Sequence, residues 1–257
     1  MASRLPAPLP AGVRLPSVPS YLPPPADAPT FNELFGFMRD AERRFDSLRM
    51  RIEDRTSTAH GEELETHEIW LRHPERAKVV TRFGSEGLRA DSLVWVTDGE
   101  RIRTYDARSH TASERPVRER PEGITDPRLP AFARVYVPIT HLPMESLAET
   151  FVHPYGYCRN LLMTARLTML GTTTLAGDRD AWLIRADQPR RTELLTDRPD
   201  HWLEVGVDRV TGMVLLIVEH VGDVITRHAE ATYVETDLAL ADDIFRLHLS
   251  KDVTLLY

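Results

Sequence analysis

Histidines, a cysteine and several carboxylate and arginine clusters are the groups in this chain of 257 residues that could do chemistry. His67-Glu68 with His73 brings zinc to mind. A zinc-binding helix needs its two histidines at i and i+4, on one face. Here the spacing is 73 − 67 = 6, in a stretch of period two, so the segment reads as a strand. His220 and His228 flank a predicted hairpin turn and read as a cross-strand or surface pair rather than metal ligands. Cys158 is alone, so no intrachain disulfide can form. It lies in the apolar stretch Tyr155 to Met163 and reads as a small buried hydrophobe rather than a nucleophile. Glu62-Glu63-Glu65 reads as solvated loop charge, and Asp242-Asp243 as a turn before a last strand. Arg115, Arg118, Arg120, Arg128 and Arg134 fall in or beside one loop, where Glu114, Glu119, Glu122 and Asp126 dilute them. That cluster, like Arg190-Arg191, reads as solvated surface rather than as a phosphate or lipid-headgroup site. The nucleophile elbow, the phosphate-binding loop and the dinucleotide fingerprint are all missing. No catalytic residue, metal or cofactor is expected.

The balance of charge narrows the partners. Thirty-two basic residues against 39 acidic ones give a net charge of −7, which argues against nucleic acid as a partner. No run approaches the roughly 18 apolar residues of a membrane-spanning helix, so no transmembrane segment is expected. Residues 1–29 are crowded with proline and lack the apolar core of a secretory signal. They read as a Pro-rich disordered arm. As written the sequence implies a cytoplasmic protein, and an extracytoplasmic one if a leader precedes Met1.

Order is expected from Thr30 to the end, 30–257, as one domain. Thr30 and Glu33 have the spacing of a capping box. Phe31, Leu34, Phe35, Met38 and Phe45 then follow helical periodicity, which predicts a helix of roughly four turns ending near Ser47. After it the period falls to two. Leu48, Met50 and Ile52 alternate with charged residues, as do Ile69 and Leu71, while Val79 and Phe83 share one parity. Asp98-Gly99, between two β-rich runs, predicts a hairpin with a type I′ turn. Thr111 to Val117 predicts a further strand.

The second half repeats the pattern. Hairpins are predicted around Gly177–Asp180, Asp208–Gly212 and Gly222-Asp223. Residues 118–135 read as a loop and 187–200 as an excursion at a hairpin tip. Two short helices, Met144 to Phe151 and Tyr155 to Ala165, break at His153-Pro154, and a short last strand is expected over Arg246–Leu249. The fold class is α+β: about ten or eleven strands in one highly curved antiparallel sheet, an incomplete β-barrel with helices on its concave face. The runs Leu93–Val96, Trp182–Ile184 and Met213–Val218 are apolar on both faces. Such half-barrels enclose either packed side chains or a ligand cavity, and periodicity does not separate the two.

Three segments carry a resemblance. Leu93 to Asp106, with its Asp98-Gly99 turn and Tyr105-Asp106 end, is similar to a hairpin of the LolA/LolB-like and RseB (MucB)-like lipoprotein carriers and regulators, actinobacterial relatives included. Trp202 to Leu215, with Val207-Asp208 and Thr211-Gly212, resembles a second hairpin of that family. Ala241 to Phe245 resembles its terminal strand. The order of helix, strands, central helices and strands also matches across 31–250. These are turn and strand signatures, and none is catalytic. The resemblance implies an incomplete barrel closed by a helical lid that binds an acyl chain, a lipid or a lipoprotein. The alternative it implies is a regulatory module with a filled interior that binds a protein of the anti-sigma or envelope-stress type. For a carrier, the expected apolar lining is Phe35, Met38, Ile69, Leu71, Val79, Phe83, Val94, Val96, Leu147, Phe151, Leu161 and Leu183.

Overall fold

The computed structural model describes residues 24–25, 29–84, 91–117, 138–175, 177–189, 199–249 and 253–256. The proposed loop 118–135, most of the arm and the centre of the 187–200 excursion lie outside these residues.

Helix α1 (Phe31–Arg39) begins at the capping box. The Thr30 hydroxyl accepts from the Glu33 amide at 3.3 Å, and the Glu33 carboxylate accepts from the Thr30 amide at 2.8 Å. The helix is shorter than its periodicity predicts. It stops at Asp40, and a 3₁₀ turn, Ala41–Arg44, follows. The Arg44 guanidinium reaches back to the Phe37 carbonyl at 2.9 Å, beside the bond from the Asp40 amide, and across to the Thr211 carbonyl at 3.0 Å.

Two meanders make the sheet. The first is β1 (Ser47–Thr58), β2 (Gly61–Arg72), β3 (Arg76–Phe83), β4 (Ser92–Thr97), β5 (Arg101–Asp106) and β6 (Thr111–Pro116). Helices α2 (Leu147–Val152) and α3 (Tyr155–Asn160) follow. The second meander is β7 (Arg166–Leu175), β8 (Arg179–Asp187), β9 (His201–Asp208), β10 (Val214–Val221) and β11 (Val224–Thr236). The chain ends in a short strand, β12 (Thr254–Leu256). The spatial order is β12-β6-β5-β4-β3-β2-β1-β11-β10-β9-β8-β7, an open sheet of 12 strands. Every ladder is antiparallel except β12 with β6, and β1 with β11 is the seam between the meanders.

The helices cover one face of this sheet. Leu48, Met50 and Ile52 of β1, Ile69 and Leu71 of β2, and Trp182 and Ile184 of β8 are nearly or wholly buried there. They pack with Leu34, Phe37 and Met38 of α1, Phe151 of α2 and Leu162 after α3. Phe37 meets Trp182 edge to face at 5.9 Å. Gly212, at φ +82°, lies so close to Phe37 that a Cβ would stand 3.0 Å from its ring, so a side chain there would push the helix off the hairpin.

Three details differ from the sequence expectation. Only Gly99 of the Asp98-Gly99 pair has positive φ, so the turn is not type I′. The Asp98 carboxylate shapes the loop instead, accepting from the Glu100 and Arg101 amides at 3.1 and 2.8 Å. The strand expected at Arg246–Leu249 is absent there. Asp242–Phe245 forms a 3₁₀ turn held by Arg72, which donates to the Leu240 carbonyl at 2.8 Å, and the last strand comes later as β12. His220 and His228 do not pair. A bulge at Glu219/His220 sets His228 opposite Val218 and His220 opposite Ile225, while the His220 ring stacks on Trp202 at 3.5 Å.

Candidate functional site

A cleft of about 270 Å³ opens on the helical face, between β1–β4, β11 and the turn that leads into α2. Its position follows from strand register. Asp54 of β1 lies opposite Glu65 of β2, His67 opposite Thr81 of β3, Thr81 opposite Leu93 of β4, and Val79 opposite Trp95. Alternation puts all of these on one face. Pro143, Ser146 and Leu147 form the facing wall, and Ser146 also caps α2 by accepting from the Glu149 amide at 3.1 Å. One side of the cleft is therefore apolar: Val79, Leu93, Trp95, Pro143 and Leu147. The other is polar: Asp54, Glu65, His67, Thr81 and Arg227.

The polar end is an electrostatic network. Arg227 of β11 grips Asp54 side-on, Nε to Oδ1 at 2.9 Å and to Oδ2 at 3.1 Å, and Nη2 to Oδ2 at 2.6 Å. Its Nη1 lies 3.5 Å from Glu219. These partners drive the Arg227 pKa far upward, the Asp54 hydrogen bonds foremost. Burial pushes the His67 imidazole down to about 4, so the ring is neutral at physiological pH. Burial and the nearby Asp54 charge raise the Glu65 carboxyl. The His67 Nδ1 lies 3.1 Å from the Thr81 hydroxyl. Its Nε2 faces the Glu65 carboxylate at 3.6 Å and makes no hydrogen bond.

The twelve expected lining residues divide sharply. Val79 and Leu147 line the cleft. Met38, Ile69, Leu71 and Phe151 are consumed in the core, and Phe35 and Leu161 pack half-buried against it. Val94 and Val96 alternate with Trp95, and Leu183 alternates with Trp182 and Ile184, so all three face the other side of the sheet. Phe83 is exposed at the end of β3. The polar end was missed, although a signal for it existed. Asp54 continues the buried parity of Leu48, Met50 and Ile52, and His67 that of Ile69 and Leu71. A charged or titratable residue on the buried parity of a strand has to be paired or functional.

Two other groups are quieter. Cys158 is buried, its thiol raised well out of the thiolate range by burial, with Sγ 3.6 Å from the Met38 sulfur. Glu42 and His153 form a buried pair at 3.1 Å, beside His73, which bonds the Thr140 hydroxyl at 2.7 Å. No helix of the described residues is long and apolar enough to cross a membrane.

No protein-family profile matches the chain. No curated protein matches it. Solved structures do. MucB aligns over 87% of this chain and 64% of its own length, at 17% identity and a TM-score of 0.49. MucB in complex with MucA(peri) aligns over 88% of this chain and 62% of its own, at 16% identity and 0.46. A LolA superfamily protein from Nitrosomonas europaea aligns over 86% and 99%, at 11% identity and 0.32. The chain spans less than two thirds of the length of the MucB chains. Its open twelve-stranded sheet with helices on one face is consistent with the LolA-like incomplete barrel that the sequence resemblance implies. Nothing among these neighbours bears on the actinobacterial kinship.

Proposed function

We propose that this chain is a non-enzymatic binding protein that takes a short apolar group, the end of an acyl chain from a lipid or lipoprotein, into the cleft beneath α2. The observation that supports this reading is the apolar wall of Val79, Leu93, Trp95 and Leu147. Each methylene that leaves water for such a wall contributes about 0.8 kcal/mol before ordering costs. A volume of about 270 Å³ sits at the small end of ligand pockets, which run from roughly 300 to 1,000 Å³. The occupant is therefore a terminal segment rather than a whole lipid. Native mass spectrometry with organic extraction, and protection of a fluorescent fatty acid from water, test the reading. Expected are a co-purifying lipid and a bound probe, with binding lost in Leu147→Trp, which fills the cleft. A ligand-free protein that leaves the probe in water would remove it.

A second reading has its own support. Leu34, Phe37, Met38, Phe151, Leu162 and Trp182 leave the interior densely packed, as suits a regulatory module that binds another protein on its surface. Affinity capture from the native host separates the two. A stoichiometric protein partner with no extractable lipid favours the module.

A further inference from the structure

The polar end of the cleft contains more than an apolar ligand requires. Donor atoms of Asp54, Glu65 and His67 all lie within 4.8 Å of one another. They come from two paired strands, so their spacing is fixed by the β1–β2 ladder rather than by a loop.

A second observation does not rest on those distances. His67 is 7% exposed, and its Nε2 is buried without a hydrogen-bond partner while pointing toward Glu65. An orphan nitrogen at that depth has a cost unless something uses it. The other ring nitrogen is already committed. In the tautomer whose Nδ1–H donates to the Thr81 hydroxyl, Nε2 carries the lone pair. This is how a metal-binding histidine is usually oriented, one nitrogen fixed by an outer partner and the other offered to the ion. Asp54 is oriented in the same way by Arg227, which takes up Oδ2 with two bonds and Oδ1 with one and leaves a lone pair on Oδ1.

We propose that Asp54, Glu65 and His67 form a binding site for a divalent transition-metal ion of the zinc type, with an open coordination position facing the cleft. Charge agrees with this in sign: Asp54, Glu63, Glu65 and Glu219 against Arg227 give −4 + 1 = −3 around the site, which a divalent ion reduces. The imidazole selects zinc-like ions over magnesium or calcium, which prefer all-oxygen shells. Three protein ligands and one free position is the pattern of sites that bind water or an exchangeable ligand rather than purely structural ones. Pro143, Ser146 and Leu147 form the opposite wall of the cleft into which that position opens. The proposal does not depend on an acyl occupant, and its test uses the metal alone.

The full chain, dialysed against a chelator, is titrated with zinc chloride and separately with magnesium chloride by calorimetry, then with cobalt(II) by visible absorption. Expected are one equivalent of zinc at micromolar affinity or better, no comparable magnesium uptake, and cobalt bands of a low-coordinate site with a nitrogen ligand. Glu65→Gln and His67→Gln should each weaken zinc by at least about tenfold, the scale on which even outer-shell losses are felt. His67→Gln should also erase the cobalt bands. Glu65 is half-buried at the mouth, so Glu65→Gln should fold even if the His67 variant does not, as melting curves will report. Failure to take up zinc overturns the proposal. So does uptake that both variants leave unchanged, which would put the ion on surface histidines.

Discussion

Two aspartates in this protein sit in nearly the same setting and do different work. Asp208, the last residue of β9, is wholly buried. Its carboxylate accepts from Arg179 Nε at 3.2 Å, from Arg179 Nη2 at 2.6 Å and from the Thr211 amide at 3.0 Å, with the Thr211 hydroxyl closing the ring. Asp54 also meets an arginine from another strand side-on, yet its neighbour His67 has a ring nitrogen without a hydrogen-bond partner and a cleft lies beside them. The first arrangement is saturated and holds a turn together. The second is half-saturated and opens onto space. A buried ion pair does not by itself mark a functional site. The sign is whether the groups around it are already spoken for.

Stability measurements can break this distinction. Asp208→Ala removes one partner of a fully enclosed pair and two loop bonds, and should cost about 3–5 kcal/mol. That corresponds to a melting point lower by roughly 10 °C for a chain of this size, read by circular dichroism. Asp54→Ala should cost less, about 2 kcal/mol, because water entering the cleft can solvate the abandoned Arg227. Equal costs would mean that the cleft is not an open site.

A third cluster sharpens the comparison. Glu42, His153 and His73 lie together, Glu42 and His153 as a buried pair and His73 beside them. Burial lowers the His73 pKa from its ordinary 6.5, against the opposing pull of Glu42. The neutral ring is thus the form the fold prefers. Its contribution is complete above the unfolded value. It is lost as pH falls below 6.5 toward the folded value, because the unfolded chain takes up the proton first. One such proton gives a slope of at most about 1.4 kcal/mol per pH unit. Denaturant midpoints measured from pH 7 to pH 5 should fall in the parent and fall less steeply in His73→Gln. Identical slopes would show that His73 is not part of an enclosed cluster.

Much of the scaffold could be read from the chain because its signals are local. The capping box at Thr30, the period-two alternation of β1 and β2, and the glycines at the hairpin turns each act within a few residues. The helix end at Asp40 could not be read so, since Arg44 fixes it by bonding Thr211, 167 residues away. The cleft was hidden for the same reason. Asp54 and Arg227 are 173 residues apart, and nothing in either strand's periodicity announces that β1 and β11 are neighbours. The apolar lining erred on a second count. Hydrophobicity predicts what is buried, and Met38, Ile69, Leu71 and Phe151 are buried as core. The cleft exists where large apolar side chains run out and Thr81, His67 and Asp54 take their place.

The seam between β1 and β11 bears on how the molecule is made. Leu48 to Thr56 pair with residues near the far end of the chain. During synthesis at about 5–20 residues per second, the 173 residues that separate Asp54 from Arg227 take roughly 10–35 s to appear. From the appearance of Pro116 until β11 follows, the first meander exists with the β1 flank unzipped, a row of amide and carbonyl groups ready to bond any passing strand. A protein whose two halves meet only at the finish gives a holdase or a ribosome-bound chaperone a defined edge to guard.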